Sequence, residues 1–442
     1  MSTALTDASR AALEHALAAI VARPGRELAS LAVALVREAK VVYTGAFGRA
    51  WIDPEGRGRD RRATPQTLYR VASVSKLVVA LAVAELCARG VLDPDRDVSD
   101  WLGFPLRNPN HPAVPVTLAQ LLSHTSSLTD RAGYNFPEEV PLAEVLTPGG
   151  RRSADGRAWQ REHPPGVFFR YCNLGFGVAV QVMERATGER FDRLMQQLLF
   201  GPLGITATFD PATLRPEDRA RVATLYRKRP AGDGDLRWDP VGLWVPQVDD
   251  ASNPPQPRAS ERYVIGTNGS VFAPQGGLRI SVADLARLMV VLVNGGRDET
   301  GRTVLSPRTL ELCFTERWRF DPRANGGRGN RAEDDEGAGG LFNAWGFGSQ
   351  RFLDVSHGPG RGDRLVEGGG FTGWGHLGNA YGLTSCFALD PARRAGFIFL
   401  SGGTAFDPET ERGAFSAQYR YEEVIASALW RAVLGENVSP SS

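Results

Sequence analysis

Ser73 and Lys76 stand three residues apart in the run Ser73-Val74-Ser75-Lys76. On a helix, positions i and i+3 share a face, so the hydroxyl and the amine meet. Near a first turn, Ser73 also sits where the helix dipole favours negative charge. Burial penalises a charged amine, so a lysine inside an apolar helix is pushed towards its neutral form. The pair predicts a nucleophile, Ser73, activated by Lys76. Of the 51 Lys and Arg residues only Lys40, Lys76 and Lys228 are lysines. Arginine keeps its proton in a protein, whereas lysine can lose it. In a chain that writes arginine almost everywhere, the retention of Lys76 points to proton transfer.

Two further groups carry polar chemistry. Tyr171-Cys172-Asn173 precedes a helical run. A phenol near an ammonium has its pKa lowered, which would suit Tyr171 as a general base and later a general acid. Asn173 both donates and accepts, which suits holding Lys76 and a substrate amide together. The third group is Gly375-His376-Leu377-Gly378-Asn379, within 374–380. Glycines in a strand mark close approach of another backbone, so an extended substrate is expected to pair there.

The elements that must position these groups follow from periodicity. Residues 6–22 predict a surface helix. The runs 31–37 and 40–47 predict a β-hairpin turning at Glu38-Ala39. Residues 67–89 are apolar almost all round and stop at Gly90, which predicts a buried helix. Helices are expected at 117–123, 174–200, 281–294 and about 418–434. Strands are expected near 345–353, 374–380, 383–390 and 395–401. The segment 228–275 is rich in Pro, Gly, Asp and Arg and predicts an irregular excursion, with Trp238 and Trp244 as candidate pocket walls. Residues 321–340 predict a polar, Gly-rich surface loop. With strands at both ends and helices between, the fold class expected is α+β, its antiparallel sheet closed from both chain ends.

Composition excludes several functions. The formal net charge is +1, which argues against a broad basic field for nucleic acid. Apolar residues make up 42%, enough for a sizeable core. No apolar run is long enough to span a membrane. The first twenty residues carry Asp7, Arg10, Glu14 and His15 and show no secretory pattern, so a cytoplasmic location is expected. Cys87, Cys172, Cys313 and Cys386 are scattered, which predicts reduced thiols rather than disulfides or zinc. His15, His111, His124, His163 and His357 lack metal-ligand spacing, and His124 is expected to make a structural hydrogen bond. The string from Gly368 to Gly373 matches G-x-G-x-x-G but precedes a strand, so no dinucleotide is expected. No cofactor or metal is predicted, and there is no G-x-S-x-G elbow.

Taken in order, the three groups resemble the signature of the serine penicillin-recognising superfamily, which holds class C β-lactamases, DD-peptidases and β-lactamase-like esterases. The likeness extends from about residue 30 to 402. It includes 121–128 (LLSHTSSL), the helix and turn from Tyr171 to Leu203, 276–288 and 345–348. The resemblance implies one β-lactamase/transpeptidase-like catalytic domain over 1–442. Its sheet lobe would comprise about 1–75 and 341–442, and its mostly helical lobe about 76–340. It also implies an acyl-enzyme on Ser73, with Lys76 and Tyr171 moving protons and an oxyanion held by the backbone N–H groups of Ser73 and Asn379. Asn173, Trp374, His376 and Gly378 would contact substrate, and Tyr171 would activate the deacylating water, as in class C. His376 stands where β-lactamases usually have Lys, a change common among esterases and aminopeptidases, and it weakens the grip on a substrate carboxylate. Ser127 replaces a usual Gly, and Cys172 a usual small residue. The substrates expected are small esters, amides or β-lactams, with ester or small-amide hydrolysis favoured. β-Lactamase, DD-peptidase, D-aminopeptidase or acyltransferase activity is the alternative, and a penicillin-binding sensor without turnover is a third.

Overall fold

The computed structural model describes residues 4–153, 156–230, 237–321 and 340–436. Nine strands form one sheet, and it draws on both chain ends, as expected. In spatial order they are Arg61–Arg62, Lys40–Trp51, Ser30–Arg37, Ala395–Ser401, Leu383–Asp390, Gly373–Ala380, Gln350–Phe352, Ala344–Trp345 and Trp318–Arg319. Every neighbouring pair is antiparallel. The central pairing joins Leu31 to Ser401 and Val36 to Gly396, so the two ends zip along their length. The architecture is α+β.

Side-chain alternation divides the sheet between two cores. From strand Ser30–Arg37, Leu31, Val33 and Leu35 pack on one face with Leu13, Leu17 and Trp430, which come from helices Asp7–Val21 and Arg420–Leu434. Ala32, Ala34 and Val36 pack on the other face with helices Val282–Val293 and Val74–Ala88. A strand buried on both faces reads as a continuous apolar run, which is how 31–36 is written. The hairpin turns at Glu38 and Ala39, with φ of 51° and 58°. That is the mirror-image turn that suits strand twist, made here without glycine.

Several expectations are corrected. The buried helix is Val74–Ala88, and Leu68–Arg70 is a strand paired with Arg279–Ser281. Local apolar patterning could not separate the two, because both are buried throughout. The run 174–200 breaks at Gly188 (φ 70°), which caps helix Leu174–Thr187; a second helix, Phe191–Met195, follows. The strand near 345–353 is two short strands, Ala344–Trp345 and Gln350–Phe352. The excursion at 228–275 is partly regular, since Leu225–Arg229 and Leu243–Val248 pair antiparallel. Most of the predicted loop at 321–340 lies outside the described residues. No described helix is long and apolar enough to cross a membrane.

Candidate active site

The Ser73 turn is built by the change from strand to helix. The chain leaves Leu68–Arg70, reverses at Ala72 (φ 46°) and enters helix Val74–Ala88. Ser75 locks this turn: its Oγ donates to Ala72 O at 2.6 Å and accepts from Leu278 N at 3.1 Å. Ser73 stands at the helix N-terminus. One turn on, Lys76 is fully buried, and its Nζ donates to Ser73 Oγ at 3.0 Å and to Gln275 O at 2.8 Å. The same nitrogen lies 4.8 Å from the centre of the Tyr171 ring. Burial lowers the Lys76 pKa to about 7, and the charge of Asp130 opposes that fall. An amine poised there is neutral in a large fraction of molecules at neutral pH and can take the Ser73 proton.

Tyr171 shares a hydrogen bond with Ser73, but its pKa moves opposite to expectation. Burial raises it, and that outweighs the Ser73 hydrogen bond. The expected lowering does not occur because the phenol is itself buried, and the penalty on its anion dominates. Tyr171 is a phenol here, able to relay or donate a proton, while Lys76 is the better base. The ring is caged by aromatics: His124 stacks on it at 4.3 Å, Phe342 at 5.3 Å, and Trp345 meets it edge-on at 5.9 Å. His124 makes the structural bond expected of it, its Nδ1 accepting from Cys172 N at 3.0 Å. Burial also holds the His124 pKa well below its usual value, so the ring stays neutral. Ser127 takes a left-handed φ of 63°, the conformation for which glycine is the usual residue.

Asp130 is the residue that motif reasoning missed. Its Oδ2 accepts from Asn173 Nδ2 at 2.7 Å and from Asn173 N at 2.9 Å. Its Oδ1 accepts from Leu174 N at 2.8 Å and from Cys172 Sγ at 3.3 Å. It therefore caps helix Leu174–Thr187 from outside, and its negative charge acts on Lys76. Asn173 was expected to hold Lys76; its amide is held by Asp130 instead. The only advance signal was an aspartate just after the 121–128 stretch, which is too common a pattern to single out.

Strand Gly373–Ala380 brings the third group alongside Ser73. Thr384 gives its N–H to Ser401 Oγ at 3.0 Å rather than across the ladder to Asn379, its register partner. In such a wide pair the Asn379 N–H points away from strand Leu383–Asp390, towards the Ser73 side. The Asn379 side chain leaves the site and donates to Tyr419 Oη at 3.1 Å. His376 is buried, and its Nδ1 lies 2.5 Å from Leu377 O. Burial, with a smaller effect of Lys76, lowers its pKa to about 3. It is therefore a neutral ring under Trp345 and does not line the open cleft. Trp374 is likewise buried: it packs on Phe314, and the Arg351 guanidinium lies 5.0 Å over its ring. Gly378 contacts the Ser73 turn rather than open space. The expected substrate contacts from His376, Trp374 and Gly378 are thus replaced by packing beneath the site.

The cleft at Ser73 has a volume of about 610 Å³ and exposes Ser73, Tyr171, Asn173, Asp130, Tyr134 and Asn379. Trp238 and Trp244 do not line it. They sit on strand-borne cations instead, Arg227 lying 4.9 Å over Trp238 and Lys228 5.3 Å over Trp244. Lys228 also donates to Pro240 O at 2.9 Å, so it has a structural place. All four cysteines are free thiols.

The family model described as Beta-lactamase matches residues 13–419. Penicillin-binding protein 4 of Amycolatopsis lactamdurans is 25% identical over 349 residues, covering 78% of this chain and 75% of that protein. Esterase EstB of Burkholderia gladioli is 34% identical over 193 residues, 41% of this chain and 46% of that protein. Among solved structures, D-amino acid amidase from Ochrobactrum anthropi SV3 aligns with a TM-score of 0.61 at 19% identity, covering 96% of this chain and 98% of that one. The octameric penicillin-binding protein homologue from Pyrococcus abyssi also gives 0.61, at 20% identity, over 98% and 78%. At these identities the two structures speak for the fold.

Proposed function

Since the chain belongs to the Beta-lactamase family, we propose that it is a serine hydrolase that forms an acyl-enzyme on Ser73 and cleaves carboxylic esters or small amides. The observation that carries this reading is the buried Lys76 Nζ at 3.0 Å from Ser73 Oγ. Ser73 Oγ attacks the carbonyl carbon and its proton passes to neutral Lys76. The carbonyl oxygen becomes an anion between the N–H groups of Ser73 and Asn379. As the tetrahedral adduct collapses, the Tyr171 phenol donates to the departing oxygen or nitrogen and is reprotonated from Lys76. Water then attacks the acyl-enzyme, again losing its proton to the Lys76–Tyr171 pair, and the acid leaves as Ser73 recovers its proton.

Ester cleavage is preferred because His376 is neutral and buried, which removes the fixed cation that would hold a β-lactam carboxylate at that position. The partial likeness to Esterase EstB supports the same choice. Amide or β-lactam turnover is the second reading, favoured by the longer match to Penicillin-binding protein 4. A cytoplasmic site of action belongs to the first reading.

The test is hydrolysis of p-nitrophenyl butyrate by the wild type and by Ser73→Ala, with adducts from a fluorophosphonate and a fluorescent penicillin mapped by mass. Ester turnover lost in Ser73→Ala, with fluorophosphonate on Ser73, is the expected result. Full activity in Ser73→Ala would overturn it. A penicillin adduct that clears by turnover, without ester cleavage, would select the second reading.

A further inference from the structure

A second cavity, of about 1280 Å³, adjoins the Ser73 cleft. The two share Arg70, Asn135 and Tyr381 in their walls. The larger cavity is formed by the chain around 246–258, by Pro211–Ala220 and by the turn around Ala273. Its lining holds five arginines against three carboxylates. That surplus is not spread evenly. Asp249 is taken by Arg279, which grips it through two nitrogens at 2.6 and 3.0 Å. Glu138 accepts from Ser260, and Asp250 accepts from Ser252 and Asn253. Arg61 and Arg219 spend their guanidinium donors on backbone carbonyls.

Arg70 and Arg258 remain. Arg70 is only 7% exposed, donates its Nε to Gly276 O at 3.0 Å, and has no carboxylate within ion-pair distance among the described residues. Its guanidinium lies 4.6 Å over the Tyr381 ring. The Arg258 side chain is half-buried and makes no hydrogen bond or ion pair to the described residues. Both guanidiniums lie close enough to Arg279 and Asp249 to feel their charges. Asp210 also acts on Arg258 and accepts from its backbone N–H at 2.9 Å, so two carboxylates, Asp249 and Asp210, serve three neighbouring guanidiniums, and a buried charge left uncompensated is costly. Tyr381, at the junction of the cavities, opens the two-residue turn between strands Gly373–Ala380 and Leu383–Asp390, and its φ of 57° is what that mirror-image turn requires. Tyr381 also lies two residues after Asn379, so this corner adjoins the site where a carbonyl would react.

We propose that Arg70 and Arg258 form an anion subsite beside the Ser73 cleft, and that the substrates are esters or amides carrying a carboxylate remote from the scissile bond. This rests on the hydrolase reading for the identity of the reaction, but not for the binding of the anion. The remote carboxylate passes Tyr381 into the second cavity and completes the charge balance that Asp249 and Asp210 leave short. Arginine suits this role because its planar fork matches a carboxylate with two hydrogen bonds. The neutral His376 then has no carboxylate to hold, and the anion is recognised at another wall.

The experiment compares mono-p-nitrophenyl suberate with the methyl ester of the same compound, in the wild type, Arg258→Gln and Arg258→Glu. The ratio of kcat/KM, free acid over methyl ester, is expected to fall about ten- to a hundredfold in Arg258→Gln and further in Arg258→Glu, mostly through KM. A ratio unchanged in both variants would overturn the subsite. Placing the anion on the leaving group instead, with 4-acetoxybenzoate against phenyl acetate, tells which half of the substrate reaches the corner. Binding of suberate to Ser73→Ala, followed by calorimetry, reads the subsite without turnover. Suberate binding that is lost in Arg258→Glu supports the subsite even if no ester is cleaved, in which case only the hydrolase reading fails. No suberate binding and no free-acid preference in the wild type would remove the subsite while leaving the hydrolase intact.

Discussion

Gly378 lies so close to Ser73 that a Cβ placed on it would stand 3.0 Å from the Ser73 backbone nitrogen and 2.9 Å from Val71 O, and would press on Ser385 Oγ. The absence of a side chain is what lets strand Gly373–Ala380 approach the Ser73 turn so closely, as the proposed pairing of the Ser73 and Asn379 N–H groups requires. Gly378→Ala must push strand and turn apart. Its kcat/KM is expected to fall about a hundredfold, the usual cost of a misplaced oxyanion donor. Stability should fall by about 1–3 kcal/mol through overpacking. Ester kinetics and urea unfolding measure the two effects, and an unimpaired rate would mean that the contact does not set the donor geometry.

Lys76 links activity and stability to pH, and both rise as it loses its proton. Its pKa is about 7 when folded, against 10.5 for the ordinary side chain. If neutral Lys76 is the base, kcat/KM rises as pH increases through about 7. For stability, the unfolded chain binds the extra proton between those two values, so stability rises with pH across that window. Below about 7 both states are protonated and the burial penalty is complete. Lys76→Met should therefore abolish turnover yet stabilise the fold, by on the order of a few kcal/mol at pH 6 and by less at pH 9. Denaturant titrations at the two pH values check this; destabilisation at pH 6 would contradict it.

Asp130 tunes that amine. Its charge raises the Lys76 pKa against the larger effect of burial. Asp130→Asn removes the charge while keeping a side chain of the same shape, so the Lys76 pKa should drop further. The acid limb of the pH–rate profile then moves to lower pH. Loss of bonds to the start of helix Leu174–Thr187 should also cost about 1–3 kcal/mol. A limb that stays still or moves upward would separate Asp130 from Lys76.

Arg279 and Asp249 form an ion pair with side chains only 2% and 9% exposed. Asp249→Ala would leave Arg279 without its partner and the three guanidiniums of that corner with Asp210 alone. A destabilisation of about 3–5 kcal/mol is expected, the usual result of removing one partner from a buried pair. Urea unfolding in the presence and absence of suberate provides the measurement. Added suberate should recover part of the loss if the anion subsite exists, since a ligand that binds only the folded state stabilises it.

The readable part of this protein was the part governed by neighbours in the chain. Ser73 and Lys76 meet because a helix places i and i+3 together, whatever surrounds it. The two-ended sheet was readable because strands such as 31–37 and 395–401 are too apolar to stand exposed and must find each other. Helix ends were less clear where breaks depended on context, as at Leu68–Arg70, which is a strand only because Arg279–Ser281 pairs with it.

Ionisation was decided by the folded surroundings. Motif reasoning placed Tyr171 near an ammonium and inferred a lowered pKa; packing against His124, Phe342 and Trp345 raises it, because desolvation depends on the sum of everything nearby. The same sum makes His376 a neutral buried ring. Asp130 is separated from Asn173 by 43 positions, and Arg70 from Arg258 by far more, so neither grouping exists until the chain closes. Sequence alone determined which hydroxyl and which amine are paired. Tertiary structure decided which groups carry charge and where an unpaired positive charge faces open space, because electrostatic energies are set by distances through the fold and not along the chain.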